Sequence, residues 1–379
     1  MISILDRCNL RCEVCYRRHA GVIKSITDIK QDLEAAERLR DLHMVTITGG
    51  EPTLHPDLLE IVSLVKRKGF HTAMATNGVL LDKPFLSRLR SAGLDSILFH
   101  VDSGQTRPDL PRNADLEDIK QRLYELLDTA VAMGFDVSFT WTILDFSEID
   151  FVLRMFLEKQ EVSLLFLSKG IDPETLPPFS DPPQTPKVKV GSDDSGHQSG
   201  KRNGRQAGCV TPSMRRMTRF IHKKFGIRPF ASVPVFTVDG QRIDQPIFVT
   251  YFLPVVYNHN SVRYLYPLRS NAVDRALMYL PRLLKGRFIH KTTQDVTVTA
   301  LRVLFNGISR LRFDLLHRFF SAAWPSNRSI RSKTIVYDDG PMPMSDGSIA
   351  VCEYCPTAIV KNNRLVRCCE IYHDESAEA

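Results

Sequence analysis

The sequence predicts an α/β fold with parallel strands. Over residues 1 to about 170, six short apolar stretches alternate with five amphipathic helical stretches. Strict alternation indicates parallel strands joined by right-handed crossovers, which form an open doubly wound sheet or a full or partial (β/α) barrel. In either architecture, the turns that follow the strands meet at the edge of the sheet where ligands bind.

The elements of this first region are assigned from hydrophobic periodicity and from capping residues. Strands are predicted at residues 2–5, 44–48, 70–76, 95–101, 135–143 and 162–168. Helices are predicted at residues 28–42, 57–69, 82–93, 116–134 and 147–160. Gly69 stands where the second helix needs a C-terminal cap.

The rest of the chain is less regular. Residues 171–208 are rich in Pro, Gly, Ser and charged residues, which predicts a flexible linker or a lid. Residues 209–335 are predicted to form a basic, partly helical region, with one apolar stripe at helical spacing over residues 301–320. Residues 336–379 are predicted to be a smaller cysteine-rich α+β module, in which "TAIV" and "RLVRC" form short strands on either side of a turn.

The composition is that of a globular protein. Of 379 residues, 43% are hydrophobic and 25% are charged. No apolar stretch approaches the ~18 residues of a membrane-spanning helix. The opening "MISILDRCN" becomes polar too early for a secretory signal. A cytoplasmic location is therefore expected, where eight cysteines indicate metal ligands or thiols rather than disulfides.

Positive charge is concentrated in one segment. Residues 260–335 contain 14 Lys or Arg and 3 Asp or Glu, a net charge of +11, so the remainder of this +7 chain sums to −4. Such a segment suits acidic partners or anionic lipid. The basic helix at 301–320 is interpreted as ordinary core packing or as a peripheral contact with a membrane or lipid. A nucleic-acid partner is not expected, because its phenylalanines follow helical spacing.

Three cysteines directly follow the first predicted strand. In "RCNLRCEVCYRR", Cys8, Cys12 and Cys15 supply thiolates, which suit zinc and iron–sulfur clusters. A closed zinc site needs four protein ligands, yet no further cysteine occurs before Cys209. Three thiolates on a four-iron cluster would leave one iron open to a small molecule. Buried thiols, or a zinc site completed by a distant residue such as His19, are the alternatives.

The second strand is followed by "TITGGEPTLHPD". Gly49 and Gly50 would let the backbone approach a ligand closely. Glu51 places a carboxylate at the strand end, and Pro52 fixes the exit of the chain while removing a backbone donor. These groups suit an α-amino group, although an ordinary strand-to-helix turn has the same composition.

Small polar residues follow the next two strands. Asn77 follows the third strand, and Asp102 and Ser103 follow the fourth. At a shared edge they would suit ribose hydroxyls or a carboxylate. Each is also an ordinary turn residue, so each is a weak indication by itself.

Taken together, "CNLRCEVC" and then "TGGEP" resemble the radical S-adenosylmethionine (SAM) enzyme family over residues 1 to about 170. The resemblance implies a partial (β/α)6 TIM-type barrel. In the family a strand and often further polypeptide precede the cysteine loop. Here seven residues precede Cys8, so a short first strand is expected.

The resemblance also implies roles for these residues. Cys8, Cys12 and Cys15 would hold a [4Fe-4S] cluster whose fourth iron binds the SAM amino and carboxylate groups. The Gly49–Glu51 segment would contact the methionyl amino group, residues near Val14 would lie by the adenine, and Asp102 and Ser103 would meet the ribose or carboxylate. An external electron donor, such as a flavodoxin or ferredoxin, would drive reductive cleavage of SAM to a 5′-deoxyadenosyl radical that abstracts hydrogen from substrate.

A second cysteine group lies near the end of the chain. It comprises Cys352, Cys355, Cys368 and Cys369, and "DGSIAVCEYC" resembles the SPASM and twitch extensions of radical SAM enzymes. This implies one auxiliary iron–sulfur cluster, although a zinc-ribbon-like site or no metal would also fit the spacing. The expected substrate is a peptide or protein side chain, or a small or lipid-like molecule. The alternative function is a non-catalytic iron–sulfur or zinc-binding regulator on the same barrel.

Overall fold

The structure is a computed structural model of the chain. It describes residues 1–12, 15, 21–170, 214–237, 247–259, 262–270, 296–323, 330–338, 342–343, 349–351, 358–361 and 364–367. Within this part of the chain, no helix is both long enough and apolar enough to cross a membrane.

The six predicted strands form one parallel sheet and pair in chain order. This is the strand order of a partial (β/α)6 barrel, and it confirms the predicted fold class. Two further short strands follow the first and the fourth of these and pair with each other. In chain order the strands are β1 (Ile2–Ser3), β2 (Arg11–Cys12), β3 (Met44–Thr48), β4 (His71–Thr76), β5 (Ser96–His100), β6 (Gln105–Thr106), β7 (Asp136–Ile143) and β8 (Val162–Lys169).

Five helices connect the parallel strands, as predicted. Side chains of Ser25, Asp82 and Asp115 accept bonds from first-turn amides, which fixes where three of these helices begin. The third helix ends at Gly93, whose φ of 101° is the left-handed conformation that glycine adopts readily. The helices are α1 (Ile26–Leu39), α2 (Leu58–Arg67), α3 (Lys83–Ala92), α4 (Leu116–Ala132) and α5 (Ile149–Glu158).

The two faces of the sheet differ in character. Ile97, Phe99 and Phe139 are fully buried and belong to the main apolar core, which also contains the inner faces of the helices. Alternate residues point to the opposite face, because successive side chains of a strand alternate. There His100 and Thr140 are neighbours in register and are only partly buried. The barrel interior is therefore lined at this level by groups that a ligand can reach.

The sheet continues beyond the sixth parallel strand and across the predicted domain limit near residue 170. Strand β13 pairs in parallel with β8, and the long strand β10 pairs antiparallel with β13. Around β10 the later strands complete a sheet of thirteen strands. These strands are β9 (Ala231–Thr237), β10 (Ile247–His259), β11 (Val262–Leu268), β12 (Ile330–Ser332), β13 (Thr334–Asp338), β14 (Met342–Pro343) and β15 (Ile349–Val351).

Where the structure describes the basic region, it contains three helices, α6 (Met214–Phe225), α7 (Val296–Ile308) and α8 (Phe313–Ala323). The prediction of one continuous helix over residues 301–320 was wrong, because the chain turns between α7 and α8. The amide of Arg312 donates back to the Gly307 carbonyl at 2.9 Å, and Leu311 adopts a φ of 53°. Apolar spacing continues across the turn, so periodicity alone did not reveal it.

The two predicted strands of the cysteine-rich module form the hairpin β16 (Ala358–Lys361) and β17 (Arg364–Arg367). Val360 packs against Ala35 and Ala36 of α1, and the Met1 amino group donates to the Ala358 carbonyl at 2.9 Å. The hairpin therefore lies against the first helix of the barrel.

Lys333 joins the added strands to the barrel. Its side chain is fully buried, and its ammonium donates to the carbonyls of Phe156, Lys159 and Val162 at 2.9, 2.6 and 2.8 Å. These carbonyls lie around the C-terminal end of α5, where a cation is favoured by the helix dipole.

We expect the substitution Lys333→Met to lower the free energy of unfolding by about 3 kcal/mol, because it leaves buried carbonyls without their donor. Chemical denaturation measures this change. The control Lys30→Met alters an exposed lysine of α1 and should change stability by less than about 0.5 kcal/mol. Equal effects of the two substitutions would contradict the assigned role of Lys333.

Candidate functional site

The cysteine loop and the Gly-Gly-Glu-Pro turn are in direct backbone contact. The amide of Gly50 donates to the Leu5 carbonyl at 2.9 Å, and the amide of Glu51 donates to the Arg7 carbonyl at 2.8 Å. Because Arg7 immediately precedes Cys8, the turn after β3 fixes the residue from which the cysteine loop begins.

The two glycines permit this approach. A Cβ atom at Gly50 would lie 2.1 Å from the Arg7 carbonyl oxygen, and one at Gly49 would lie 2.5 Å from the Leu5 carbonyl oxygen. The sequence predicted that these glycines allow a close approach to a ligand. The structure shows that they allow the close approach of the chain's own backbone at Leu5 and Arg7, directly before Cys8.

Glu51 links the turn after β3 to the end of β4. Its side chain is 1% exposed. One carboxylate oxygen accepts bonds from the Thr53 amide at 3.1 Å and from the hydroxyls of Thr53 and Thr76, each at 2.7 Å. The other oxygen accepts from the Asn77 amide at 2.7 Å. The carboxylate therefore holds two loops together, and one oxygen carries fewer protein bonds than the other among the described contacts.

Asn77 connects these loops to the cysteines. Its side-chain Nδ2 donates to Asn9 Oδ1 at 2.8 Å and lies 3.9 Å from Cys8 Sγ. Its Oδ1 accepts from the Val79 amide at 3.0 Å, which fixes the orientation of the amide. The structure thus brings Asn77, Glu51 and Cys8 to one edge of the sheet, as the sequence predicted.

The cysteine loop is also held from the far side. Cys12, in β2, pairs with Gln105, in β6, directly after the fourth parallel strand. The fully buried Arg107 supports this ladder by donating to Gln105 Oε1 at 2.9 Å and to the Asn77 carbonyl at 2.9 Å. Its charge is balanced by Asp109 at 2.9 Å. Arg107 thus joins the ends of β4 and β5 beneath the loop.

Asp102 is buried and bonded within the protein. Its Oδ2 lies 2.6 Å from His100 Nε2 and accepts from the Thr142 amide at 2.9 Å, while Oδ1 accepts from the Gly104 amide at 3.1 Å. Burial opposes ionisation, but these bonds outweigh it and lower the pKa of the Asp102 carboxyl. The Asp102 carboxylate is therefore bonded to His100 and to backbone amides, and it is not exposed to a ribose.

His100 is the group of this pair that a ligand can reach, since 37% of its side chain is accessible. Partial loss of water opposes its charged form, but the Asp102 carboxylate outweighs that loss and raises the pKa of His100. The geometry places this imidazole at the C-terminal end of β5, on the interior face of the barrel.

Ser103 is tied to Glu148. Its hydroxyl donates to Glu148 Oε2 at 2.8 Å, and the Trp141 indole donates to the same oxygen at 3.1 Å. Burial raises the pKa of Glu148, although these two donors work against the shift. The oxygen of Ser103 keeps its capacity to accept a bond from a ligand hydroxyl.

The three N-terminal cysteines are half-buried thiols. Burial, together with the neighbouring Cys15 and Asp102, raises the pKa of Cys12 to about 12. Burial also raises the pKa of Cys8, where Glu51 adds to the effect and the Leu10 amide opposes it. Both thiols are therefore protonated near neutral pH before a metal binds.

The residues present fit an iron–sulfur cluster. Among the described residues, no three His, Cys, Asp or Glu side chains converge on a point where one metal ion could bind. The donor set is entirely sulfur, and the glycine turn holds the start of its loop, so a [4Fe-4S] cluster bound by three cysteines suits the site.

Metal binding to this loop should strengthen as pH rises. Cys8 and Cys12 must each lose a proton to become ligands, and their raised pKa values keep both protonated below pH 8. Between pH 7 and 8, the cluster content reached on reconstitution of the metal-free chain with limiting iron and sulfide should therefore rise, because each of these two protons released favours binding by up to about tenfold per pH unit. Iron analysis and the charge-transfer absorption of the cluster measure this, and a pH-independent cluster content would contradict the assigned ligands.

Several residues that build the site were not predicted from the sequence. Other predicted residues lie outside the described part of the chain. His100 stands in "HVDSG" and could have been noticed at its strand end, whereas nothing near Arg107 indicates its bonds. The cysteines Cys209, Cys352, Cys355, Cys368 and Cys369 lie outside the described residues, as does Val14. Their metal remains a prediction.

A family model supports the same conclusion from comparison with other sequences. The model described as the radical SAM superfamily matches residues 2–154. This range contains the cysteine loop, the Gly-Gly-Glu-Pro turn and the first five parallel strands.

Individual relatives match parts of the same region. The tungsten-containing aldehyde ferredoxin oxidoreductase cofactor-modifying protein of Pyrococcus furiosus is 37% identical over 105 residues, which are 27% of this chain and 30% of that protein. The PqqA peptide cyclase of Gluconobacter oxydans is 38% identical over 102 residues, 26% of this chain and 28% of that protein. These matches thus span about 30% of the length of the relatives.

Among solved structures, Streptococcus suis SuiB bound to S-adenosylmethionine aligns over 45% of this chain and 41% of that chain, with 16% identity and a TM-score of 0.36. The structural likeness is thus weak. Residues 2–154 match the radical SAM superfamily model, and they contain the contacts between the cysteine loop and the glycine turn.

Proposed function

We propose that this protein is a radical SAM enzyme that uses a [4Fe-4S] cluster and SAM to abstract hydrogen from a substrate. The observation that carries the proposal is the backbone pairing of Gly50 with Leu5 and of Glu51 with Arg7. This pairing joins the two motifs that the chemistry requires. When bound, the cluster supplies one electron that cleaves SAM into methionine and a 5′-deoxyadenosyl radical.

Each residue of the site has a stated role in this proposal. Cys8, Cys12 and Cys15 would hold the cluster. The Gly49–Pro52 turn would contact the SAM amino group, while the buried Glu51 carboxylate, bonded at both oxygens, would hold this turn to the end of β4. Pro52 is buried and begins a short 3₁₀ turn, which fixes the position of the Glu51 side chain.

On the facing side of the edge, Asn77 and Ser103 are proposed to meet the ribose or carboxylate of SAM. Asp102 would act through His100, whose cationic ring could then bind the SAM carboxylate.

The substrate would occupy the barrel interior. A primary carbon radical reacts with whatever is nearest, so orientation and exclusion of water are the protein's main contributions. A peptide or protein side chain is one proposed substrate, and the partial similarity to a peptide cyclase supports it. A small or lipid-like molecule is the other, and the basic region between residues 209 and 335 supports that choice.

Further parts of the proposal concern regions beyond the matched domain. We propose limits of 1–170 for the barrel, 171–208 for the linker or lid, 209–335 for the basic region and 336–379 for the cysteine-rich module. The last would hold a second iron–sulfur cluster of the SPASM or twitch kind, or zinc, through Cys352, Cys355, Cys368 and Cys369. A flavodoxin or ferredoxin would be the electron donor in the cytoplasm.

Electron paramagnetic resonance of the reduced, reconstituted protein tests the binding part of this proposal. Addition of SAM should change the signal of the N-terminal cluster. The amino and carboxylate groups of SAM would bind the fourth iron, which has no cysteine ligand. The variant lacking the cysteines of the C-terminal group should give the same change. Binding of zinc instead of iron, or a signal that excess SAM leaves unaltered, would favour the non-catalytic regulator.

A further inference from the structure

An exposed apolar surface surrounds the turn between α7 and α8. Leu301, Phe305 and Ile308 on α7 are 49%, 62% and 48% exposed. Leu311 in the turn and Phe313 at the start of α8 are 76% and 59% exposed. We call these five residues the apolar tip. Single exposed apolar residues are ordinary. Five of them within thirteen residues, on two helices and the turn that joins them, are typical of an interaction site.

The apolar tip is separate from the core beneath it. Val303, Leu316 and Phe319 are buried and pack with strands β10 and β11 in a second apolar cluster. The same two helices thus bury one face and expose the other. The turn is also well defined, since the amides of Arg310 and Arg312 both donate to the Gly307 carbonyl, at 3.3 and 2.9 Å.

Four arginines gather beside the apolar tip. Asn306 donates to the Arg269 carbonyl, and Arg310 donates to the Ser270 carbonyl at 3.2 Å, so the end of α7 is held against the end of β11. Burial, and then the charges of three neighbouring guanidiniums, lower the pKa of Arg269. We call Arg269 and these neighbours the arginine cluster; the neighbours are Arg228, Arg310 and Arg312.

Within the described residues, one carboxylate is in ion-pair contact with the arginine cluster, that of Asp314, 3.3 Å from Arg312 Nε. Four like charges held together are unfavourable unless an anion binds nearby. The whole segment 260–335 has a net charge of +11, so its field extends the local attraction for an anionic surface.

We propose that the apolar tip and the arginine cluster form a docking surface for an anionic phospholipid membrane. Aromatic and aliphatic side chains at the tip would enter the boundary between headgroups and acyl chains, while the guanidiniums beside them bind lipid phosphates. A flat anionic interface satisfies both features at once, whereas a soluble anion would leave the apolar tip in water. This inference is independent of the proposed chemistry.

Sedimentation with vesicles tests the proposal. The protein should pellet with vesicles of phosphatidylcholine mixed with phosphatidylglycerol and should stay in solution with phosphatidylcholine alone. Each arginine near an anionic surface contributes roughly fivefold in affinity. The double substitution Arg310→Gln with Arg312→Gln should therefore weaken binding about 30-fold. Its control, Arg67→Gln with Arg88→Gln, removes the same charge from exposed positions of α2 and α3 and should have little effect.

A second pair of variants tests the apolar contribution. Leu311→Asn with Phe313→Ser should weaken binding at least tenfold, and asparagine tolerates the left-handed backbone at position 311. Leu39→Asn with Met44→Ser changes residues that are 45% and 55% exposed elsewhere and should bind as the unaltered protein does.

Three outcomes would overturn the proposal. The first is equal pelleting with both kinds of vesicle, and the second is unchanged binding by the tip and cluster variants. The third is a dimer, detected by light scattering, that dissociates in the Leu311→Asn, Phe313→Ser variant while no vesicle binding occurs. In that case a second copy of the chain covers the apolar tip. None of these results depends on the cluster or on SAM cleavage.

Discussion

The substitution Gly50→Ala should remove the N-terminal cluster almost completely. The added Cβ would lie 2.1 Å from the Arg7 carbonyl oxygen, which is backbone and cannot move aside without moving Cys8. We expect a loss of about 3 kcal/mol or more in the free energy of unfolding. Iron analysis after anaerobic reconstitution should show the N-terminal cluster reduced to a small fraction of that in the unaltered protein.

Gly69→Ala is the matched control for this experiment. Gly69 has a φ of +85°, and no atom lies within 4 Å of the position that an added Cβ would take. Alanine there costs roughly 1 kcal/mol of backbone strain and touches no part of the site. The control should keep its full iron content. If Gly50→Ala loads iron as well as this control does, the glycine turn does not order the cysteine loop.

Replacing Cys8, Cys12 and Cys15 together by Ala should abolish SAM cleavage. Removal of all three thiolates leaves the N-terminal cluster without protein ligands, so the iron content should fall by one four-iron cluster per chain. The fold should persist, because these side chains lie in a loop and are only half-buried. Circular dichroism confirms the fold, and iron analysis measures the loss.

Any iron that remains bound after this triple substitution would be bound by the C-terminal cysteines. Cys352→Ala with Cys355→Ala is the complementary variant, and it should keep the N-terminal cluster. Iron unchanged by the triple substitution would overturn the assignment of Cys8, Cys12 and Cys15. If the triple variant contains zinc and no iron, the C-terminal cysteines bind zinc.

Local sequence patterns were sufficient for the barrel. Alternating strands and helices are each set by residues close together in the chain, so the six strands and five helices could be predicted. The position of the cysteine loop and of Asn77 at one edge followed from the same alternation. The added sheet could not be predicted, because β13 pairs with β8 across more than 160 residues of intervening chain.

The roles of single side chains were harder to predict than their positions. Asp102 was expected to meet a ligand directly, yet the structure commits its carboxylate to His100 and Thr142. His100 is only two residues away in sequence, but Thr142 lies on the neighbouring strand, which the fold brings to Asp102. In the same way, the bond from Arg107 to the Asn77 carbonyl spans 30 residues of chain and could not be predicted from the local pattern.

We expect the cysteine loop and the glycine turn to form a functional site for SAM cleavage. The most direct measurement is the amount of 5′-deoxyadenosine formed when the anaerobically reconstituted protein is given SAM and a one-electron reductant. We expect 5′-deoxyadenosine and methionine in equal amounts, with none formed when the reductant is omitted or when Cys8, Cys12 and Cys15 are replaced. A protein with a full cluster and bound SAM that forms no 5′-deoxyadenosine would contradict it.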